Sequence, residues 1–348
     1  MKKAAISIIF DFPATLAKCS IFDIGKGKSY IDMSASAKAF ELAYSESIKK
    51  EIENVVEECE NKDIKLSVYF SGLFIDLLVK TDSLQLEKIK RLVKKGKIEI
   101  LGGTINHSLA SIYSPSCFEW EIISHLDLMK RVFDVSPKKF YNTENLFNDA
   151  IASEIIKLGF NTTFAGVVEW YLGNEVNQRV FKSAVDEKFT TLLIEADKQN
   201  ALFENDRVKN HFLQFDLNKL TQLGGFKTIL GRIQSVASVS QLDDLLKDKS
   251  KAVYKVKSPT IGSIHSKSLS SYNGEAMQRN ALEQYYDLCD TIEKCQYEDF
   301  MKEHAELGHS SLFLQMSKSS ESSTEPFETY SNYINMVTDL TIRLGRKP

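Results

Sequence analysis

The chain has 348 residues, 43% of them apolar, which is enough to bury a large core; a disordered chain is excluded, and one large domain with an extension, or two domains, is expected. A formal net charge of -3 and a pI near 6.1 supply no concentrated basic field, which argues against nucleic acid or an anionic membrane surface as partners. The five cysteines (Cys19, Cys59, Cys117, Cys289, Cys295) are odd in number, scattered and without metal-ligand spacing, so they read as free thiols of a reducing, cytoplasmic interior.

In chain order, the apolar run Ile6 to Phe10 follows two lysines but meets Asp11-Phe12-Pro13 too soon for a signal peptide or a membrane span, so it is expected to be a buried first strand. Ser45 to Glu60 places Ile48, Ile52, Val55 and Val56 on one helical stripe, and Ile64 to Phe70 is the next strand. Helical patterns from Leu73 to Val79 and Leu84 to Val93 end at Gly96, before a strand at Ile98 to Leu101. Phe118 to Phe133 is helical, and Pro137 to Tyr141 is extended. A helix with Ile151, Ile155, Ile156 and Leu158 then closes at Gly159, before a strand at Thr162 to Val168. Thr190 to Ile194 and His211 to Phe215 are later strands, with helices expected at Thr228 to Ile233 and Val239 to Leu246.

Strand and helix alternating in this way imply parallel strands joined by right-handed crossovers, in a closed barrel or an open doubly wound sheet; periodicity does not separate the two. From Ala276 to Ala305, and again from Pro326 to Leu344, long amphipathic patterns stand without strands, joined by the polar stretch Ser317 to Thr324. Two regions are expected on this basis: an α/β region at 1–250 and an α-helical region at 251–348.

Chemistry gathers where strands give way to loops. Phe140 to Asn148 (FYNTENLFN) hands Glu144 from a strand to the loop before a helix, the place of a catalytic carboxylate. The plain alternative makes Thr143 or Asn145 a helix N-cap and Glu144 a first-turn acid. Asp216, after the strand His211 to Phe215, is a second candidate carboxylate or the cap of the next segment. His107 lies in GGTINHSLAS as a polar contact or a satisfied structural histidine. A P-loop, a G-x-G-x-x-G fingerprint and a His-x-x-x-His pair are all absent from the sequence.

The stretches GGTINHSLAS and FYNTENLFNDAIASEIIKLGF, in this order and spacing, resemble the α-amylase-like members of glycoside hydrolase family 57, and the resemblance extends over most of the chain. It implies an incomplete seven-stranded (β/α)7 barrel followed by a C-terminal helical region. It also implies retaining hydrolysis or transfer on α-glucans such as maltooligosaccharides, starch or glycogen, with no cofactor and no metal. By the same resemblance Glu144 is the nucleophile and Asp216 the general acid, while His107, Asp11, Trp170, Tyr272 and Gln278 fall at substrate-binding positions.

Several positions depart from the family pattern. Its HQP after the first strand reads Asp11-Phe12-Pro13, and its SDD segment is replaced by Ile194 to Asn200. Its WlGNdMQ becomes Tyr272 to Gln278, and its SDH motif reads Ser310-Ser311-Leu312. These losses motivate an alternative expectation, a catalytically impaired protein that binds glycans without turnover, since turnover needs a complete preorganised shell. A third, a polysaccharide deacetylase-like enzyme, has Asp11 after the first strand in its favour and lacks the histidine pair. The sequence does not specify an oligomeric state.

Overall fold

Strands that are apolar on both faces need cover on both sides, and that requirement sets the architecture. The computed structural model describes residues 2–173, 175, 177–194, 208–247, 252–262, 268–295, 298–318 and 325–345. Its strands are β1 (Lys2–Phe10), β2 (Leu66–Phe70), β3 (Ile98–Ile100), β4 (Lys139–Phe140), β5 (Thr162–Gly166), β6 (Val180–Ser183), β7 (Thr190–Ile194), β8 (Asn210–Asp216), β9 (Ala237–Val239) and β10 (Val253–Tyr254).

Strand pairing, parallel except between β6 and β7, gives the order β3-β2-β1-β8, with β9 also beside the start of β1, and a second run β4-β5-β7-β6-β10. A parallel bridge between Gly102 and Phe140 joins β3 to β4, and β7 lies alongside β8. The ring β1-β2-β3-β4-β5-β7-β8 is therefore a (β/α)7 barrel, while β6 runs antiparallel on the outer side of β7.

Side chains of one parity fill the barrel. Ala5 and Ile9 of β1, Tyr69 of β2, Leu101, Tyr141, Phe164 of β5, Leu192 and Ile194 of β7 and Phe212 of β8 form one buried cluster. The opposite parity (Ala4, Ile6, Ile8 and Phe10; Leu66, Val68 and Phe70) packs outward on the crossover helices. These are α1 (Met33–Ala43) and α2 (Lys49–Asn61) after β1, linked by one π turn at Tyr44–Ile48; α3 (Gly72–Lys94) after β2; and α4 (Ala110–Tyr113) and α5 (Pro115–Phe133) after β3. After β4 comes α6 (Asp149–Lys157), and after β5 comes α7 (Glu169–Leu172). Then α8 (Leu217–Gln222) and α9 (Phe226–Gln234) follow β8, and α10 (Leu242–Leu246) follows β9.

The helical layer comprises α11 (Ser270–Asn273), α12 (Ala276–Cys295), α13 (Glu298–Glu306), α14 (Ser310–Gln315) and α15 (Pro326–Gly345). Its apolar faces share one core with the barrel: Phe140, Leu146, Ile151 and Phe160 lie in the same cluster as Tyr285, Phe313, Tyr333 and Leu340. Asp339 on α15 is buried and accepts hydrogen bonds from the backbone N–H groups of Gly25, Lys26 and Gly27 and from the Tyr30 hydroxyl, which ties the β1–α1 loop to this helix. No helix among the described residues is long and apolar enough to cross a membrane.

The structure differs from the sequence reading at several points. Residues beyond the change of character expected near 250 stay with the barrel: β10 pairs with β6, and the Val256 amide donates to Asp149. The helix α1 and the strands β6, β9 and β10 stand where the sequence patterns give no element. Val239, expected to open a helix, instead ends β9, where pairing with β1 overrides local propensity. Cys117 of α5 and Cys289 of α12 form a disulfide across 172 residues, correcting the free-thiol expectation for that pair, whereas Cys19 and Cys59 are free and buried.

Candidate active site

Parity places the first carboxylates. On β8, Phe212 points into the barrel, so Gln214 and Asp216 share its side, and the register pairs Asp216 with the inward Ile9. Two residues beyond Ile9, Asp11 is the next side chain of that parity on β1. Both acids therefore lie at the C-terminal mouth of the barrel, where the fold collects chemistry. One oxygen of Asp216 caps α8, accepting from the Lys219 amide at 2.7 Å, so the capping reading of this residue holds as well.

Glu144 stands in a single 3-10 turn (Thr143–Asn145) after β4 and is buried. Neither Thr143 nor Asn145 caps the following helix: Asn148 does so, its side chain accepting from the Ile151 amide at 2.8 Å, and Glu144 falls before the first turn of α6. Glu144 and Asn145 take left-handed backbone conformations (φ 54° and 50°), as does His107 (φ 52°). Non-glycine residues in this region carry strain that the surroundings must hold, and such residues cluster at functional sites.

The turn is held from three sides. The Gly262 amide donates to the Glu144 carbonyl at 2.9 Å, and the Asn145 amide nitrogen donates to the Gly262 carbonyl at 2.9 Å. The same nitrogen donates to Gln214 Oε1 at 2.8 Å, which ties the Glu144 turn to the strand that ends in Asp216. Gly262 passes so close to β5 that a Cβ on it would lie 2.5 Å from Gly166 Cα, so only glycine permits this approach. Tyr141 sits between the acids. Burial, followed by the charges of Glu144, Asp11 and Asp216, pushes its phenol well above the ordinary range, so it is a hydrogen-bonding hydroxyl at any working pH.

His107 is buried between Tyr141, whose hydroxyl lies 3.2 Å from Nε2, and Ser310, whose hydroxyl lies 3.2 Å from Nδ1. Its Nδ1 is also 3.7 Å from Asp11 Oδ2. His309, not singled out in the sequence, directly precedes the segment matched to the family's SDH motif. Its Nε2 lies 3.0 Å from Asp11 Oδ2, and its Nδ1 accepts from the Ser311 amide. Burial pushes the Asp11 carboxyl up, but the His309 and His107 imidazoles outweigh it and hold Asp11 well below the usual carboxylate range.

The remaining candidates separate. Trp170 on α7, after β5, is 81% exposed, its ring 6.0 Å from that of Tyr171. Tyr272 and Gln278 are corrections. Tyr272 is fully buried in the core between barrel and helical layer and offers no face to a ligand. The Gln278 side chain is buried and spends its amide on backbone: it donates to the Ser271 and Phe313 carbonyls at 2.7 and 2.9 Å and accepts from the Glu275 amide at 3.0 Å. Of Ile194 to Asn200, set against the family's SDD segment, Ile194 ends β7 and residues 195–200 lie outside the described residues.

A family model described as Glycosyl hydrolase family 57 matches residues 17–306. Over 147 residues the chain is 28% identical to a Methanocaldococcus jannaschii protein named "Putative alpha-amylase", a match covering 42% of this chain and 32% of that protein. Among solved structures the fold is similar to a family 57 branching enzyme from Thermococcus kodakaraensis, crystallised with glucose and additives (TM-score 0.69, 8% identity, 96% of this chain and 88% of that chain). It is also similar to the 4-alpha-glucanotransferase of Thermococcus litoralis (TM-score 0.56, 14% identity, 84% of this chain and 45% of that chain). The match thus spans about a third of the curated relative's length and less than half of the glucanotransferase's.

Proposed function

The chain belongs to glycosyl hydrolase family 57, and from that premise we propose that it hydrolyses or transfers α-glucan segments with retention of configuration. Glu144 attacks the anomeric carbon as the glycosidic C–O bond breaks, and Asp216 protonates the departing oxygen. In the second step water or a sugar hydroxyl attacks the glycosyl-enzyme, Asp216 takes the proton, and the Glu144 carboxylate is regenerated. The observation that carries this reading is the linkage of the two carboxylates at the barrel mouth: Asn145, next to Glu144, is bonded to Gln214, two residues before Asp216. The exposed ring of Trp170 supplies a stacking surface for a sugar.

Incubation of the purified protein with maltooligosaccharides, followed by chromatography of the products, tests the reading. Turnover that vanishes in Glu144→Gln supports it, and turnover unchanged in that variant overturns the assignment. A second reading, glycan binding with little turnover, draws on the burial of Tyr272 and Gln278, which removes two expected sugar contacts. Maltooligosaccharide binding measured by calorimetry without product formation favours it.

A further inference from the structure

Beside the carboxylate pair, the barrel mouth holds a cluster that the reading above does not use. Asp11, His107 and His309 each offer one ligand atom, and these atoms all lie within 4.8 Å of one another. We propose that Asp11, His107 and His309 form a binding site for one divalent transition-metal ion of the zinc class, through Asp11 Oδ2, His107 Nδ1 and His309 Nε2.

Donor set and spacing carry the proposal first. Two imidazoles and a carboxylate are a borderline N/O set that suits zinc and its first-row neighbours, and three protein ligands leave one position for water. With metal–ligand bonds of about 2.0–2.1 Å, tetrahedral ligand atoms stand about 3.3 Å apart. Asp11 Oδ2 lies 3.0 Å from His309 Nε2 and 3.7 Å from His107 Nδ1, on either side of that value.

The second, independent observation is what the opposite ring nitrogens do. Metal-ligating histidines hand their other nitrogen to an oxygen that fixes ring and tautomer. His107 Nε2 meets the Tyr141 hydroxyl at 3.2 Å, and His309 Nδ1 meets the Ser311 hydroxyl at 2.8 Å. The Ser311 amide donates to His309 Nδ1, which puts the ring proton on Nε2, facing Asp11. Loading an ion moves that proton to Nδ1, where the Ser311 hydroxyl turns from donor to acceptor and the Ser311 amide gives up its bond to the ring; one proton changes nitrogen and none is lost.

The frame is also prepared. A bridge pairs Ser108 with His309, and the Ser310 amide donates to the His107 carbonyl at 3.1 Å, so the two histidines are fixed by their backbones as well. A cavity of about 440 Å³, lined by Ser71, Gly72, Ile105, Asn106 and His309, gives an ion a way in. Among the described residues the other trio with suitable side chains, Cys117, Cys289 and His304, is already committed, since its sulfurs are bonded to each other.

Protein stripped with EDTA and returned to metal-free buffer is titrated with Zn²⁺ against a chromophoric chelator. One ion per chain is expected, held at least 100-fold less tightly in His309→Gln and Asp11→Asn and about 10-fold less tightly in Ser311→Ala. Wild-type protein that takes up no zinc at micromolar concentration overturns the proposal, as does uptake that His309→Gln and Asp11→Asn leave unchanged. X-ray absorption on zinc-loaded wild-type protein decides the matter even if the variants fail to fold. A nitrogen and oxygen shell at about 2.0–2.1 Å is expected, and a sulfur shell at about 2.3 Å refutes the assignment. Because metal content is read directly and no ligand is shared with Glu144 and Asp216, the result stands apart from the maltooligosaccharide assay.

Discussion

Glu144 and Asp216 are placed by the barrel and its own loops: Asp216 ends β8 and is aimed by strand parity, and Glu144 stands in a short turn after β4 that Gly262 and Gln214 hold. The cluster of Asp11, His107 and His309 is assembled across the molecule, Asp11 and His309 being 298 positions apart, and it exists only while the helical layer is docked on the barrel. A barrel therefore positions its own acids cheaply, whereas a ligand delivered by a second layer depends on everything that fastens that layer. Perturbing the turn should injure one constellation, and loosening the helical layer should injure the other.

The largest effect is expected for Glu144→Gln, a loss of about 10⁴-fold in kcat on maltooligosaccharides with the melting temperature unchanged, because only an attacking group is removed. Asp216 allows a finer cut. Asn caps a helix as well as Asp, so Asp216→Asn should lose about 10²–10⁴-fold in kcat at wild-type stability. Asp216→Ala should lose the same activity and also about 1 kcal/mol of stability in urea unfolding. Equal stabilities for the two variants would mean that the bond to the Lys219 amide contributes nothing.

On the other side of the comparison, Cys117→Ser with Cys289→Ser removes the covalent tie between α5 and α12 and should cost about 2–5 kcal/mol, measured as a lower denaturation midpoint. A double variant as stable as the wild type would show that noncovalent packing alone holds the helical layer. The smallest effect concerns Glu121, a buried carboxyl on α5 that accepts from the Asn106 amide at 3.2 Å. Burial pushes it up to about 7 against an ordinary 4.5. Between those values the folded chain holds a proton that the unfolded chain has released, so stability falls as pH rises from about 4.5 to about 7 and stays low above. Glu121→Gln should flatten that window and be more stable than the wild type at pH 8 by on the order of 2 kcal/mol, read from denaturation at pH 5 and pH 8.

The same division governs what could be read from residues alone. The alternation of strands and helices, the strand limits at Thr190 and Ile194 and the place of Glu144 were legible because they depend on neighbours in sequence. His309 was not, since nothing near it in the chain announces Asp11. The Cys117–Cys289 pairing was equally hidden, because only the docking of α12 on α5 brings the sulfurs together. Tyr272 and Gln278 failed for a different reason: they sit at the right places in a motif, yet here one is closed into a core and the other has its amide taken by backbone.

The carboxylate of Asp339, cradled by the amides of Gly25, Lys26 and Gly27, carries a consequence for how the molecule is made. Up to 314 residues separate these partners. At roughly 5–20 residues per second, a ribosome needs about 15 to 60 s to reach the acid after the glycines have emerged. Throughout that interval the first crossover of the barrel waits with its loop unanchored, open to chaperones and proteases. The helix α15 thus acts as the latch on a loop made long before it, and slow translation between the two should be felt at that loop.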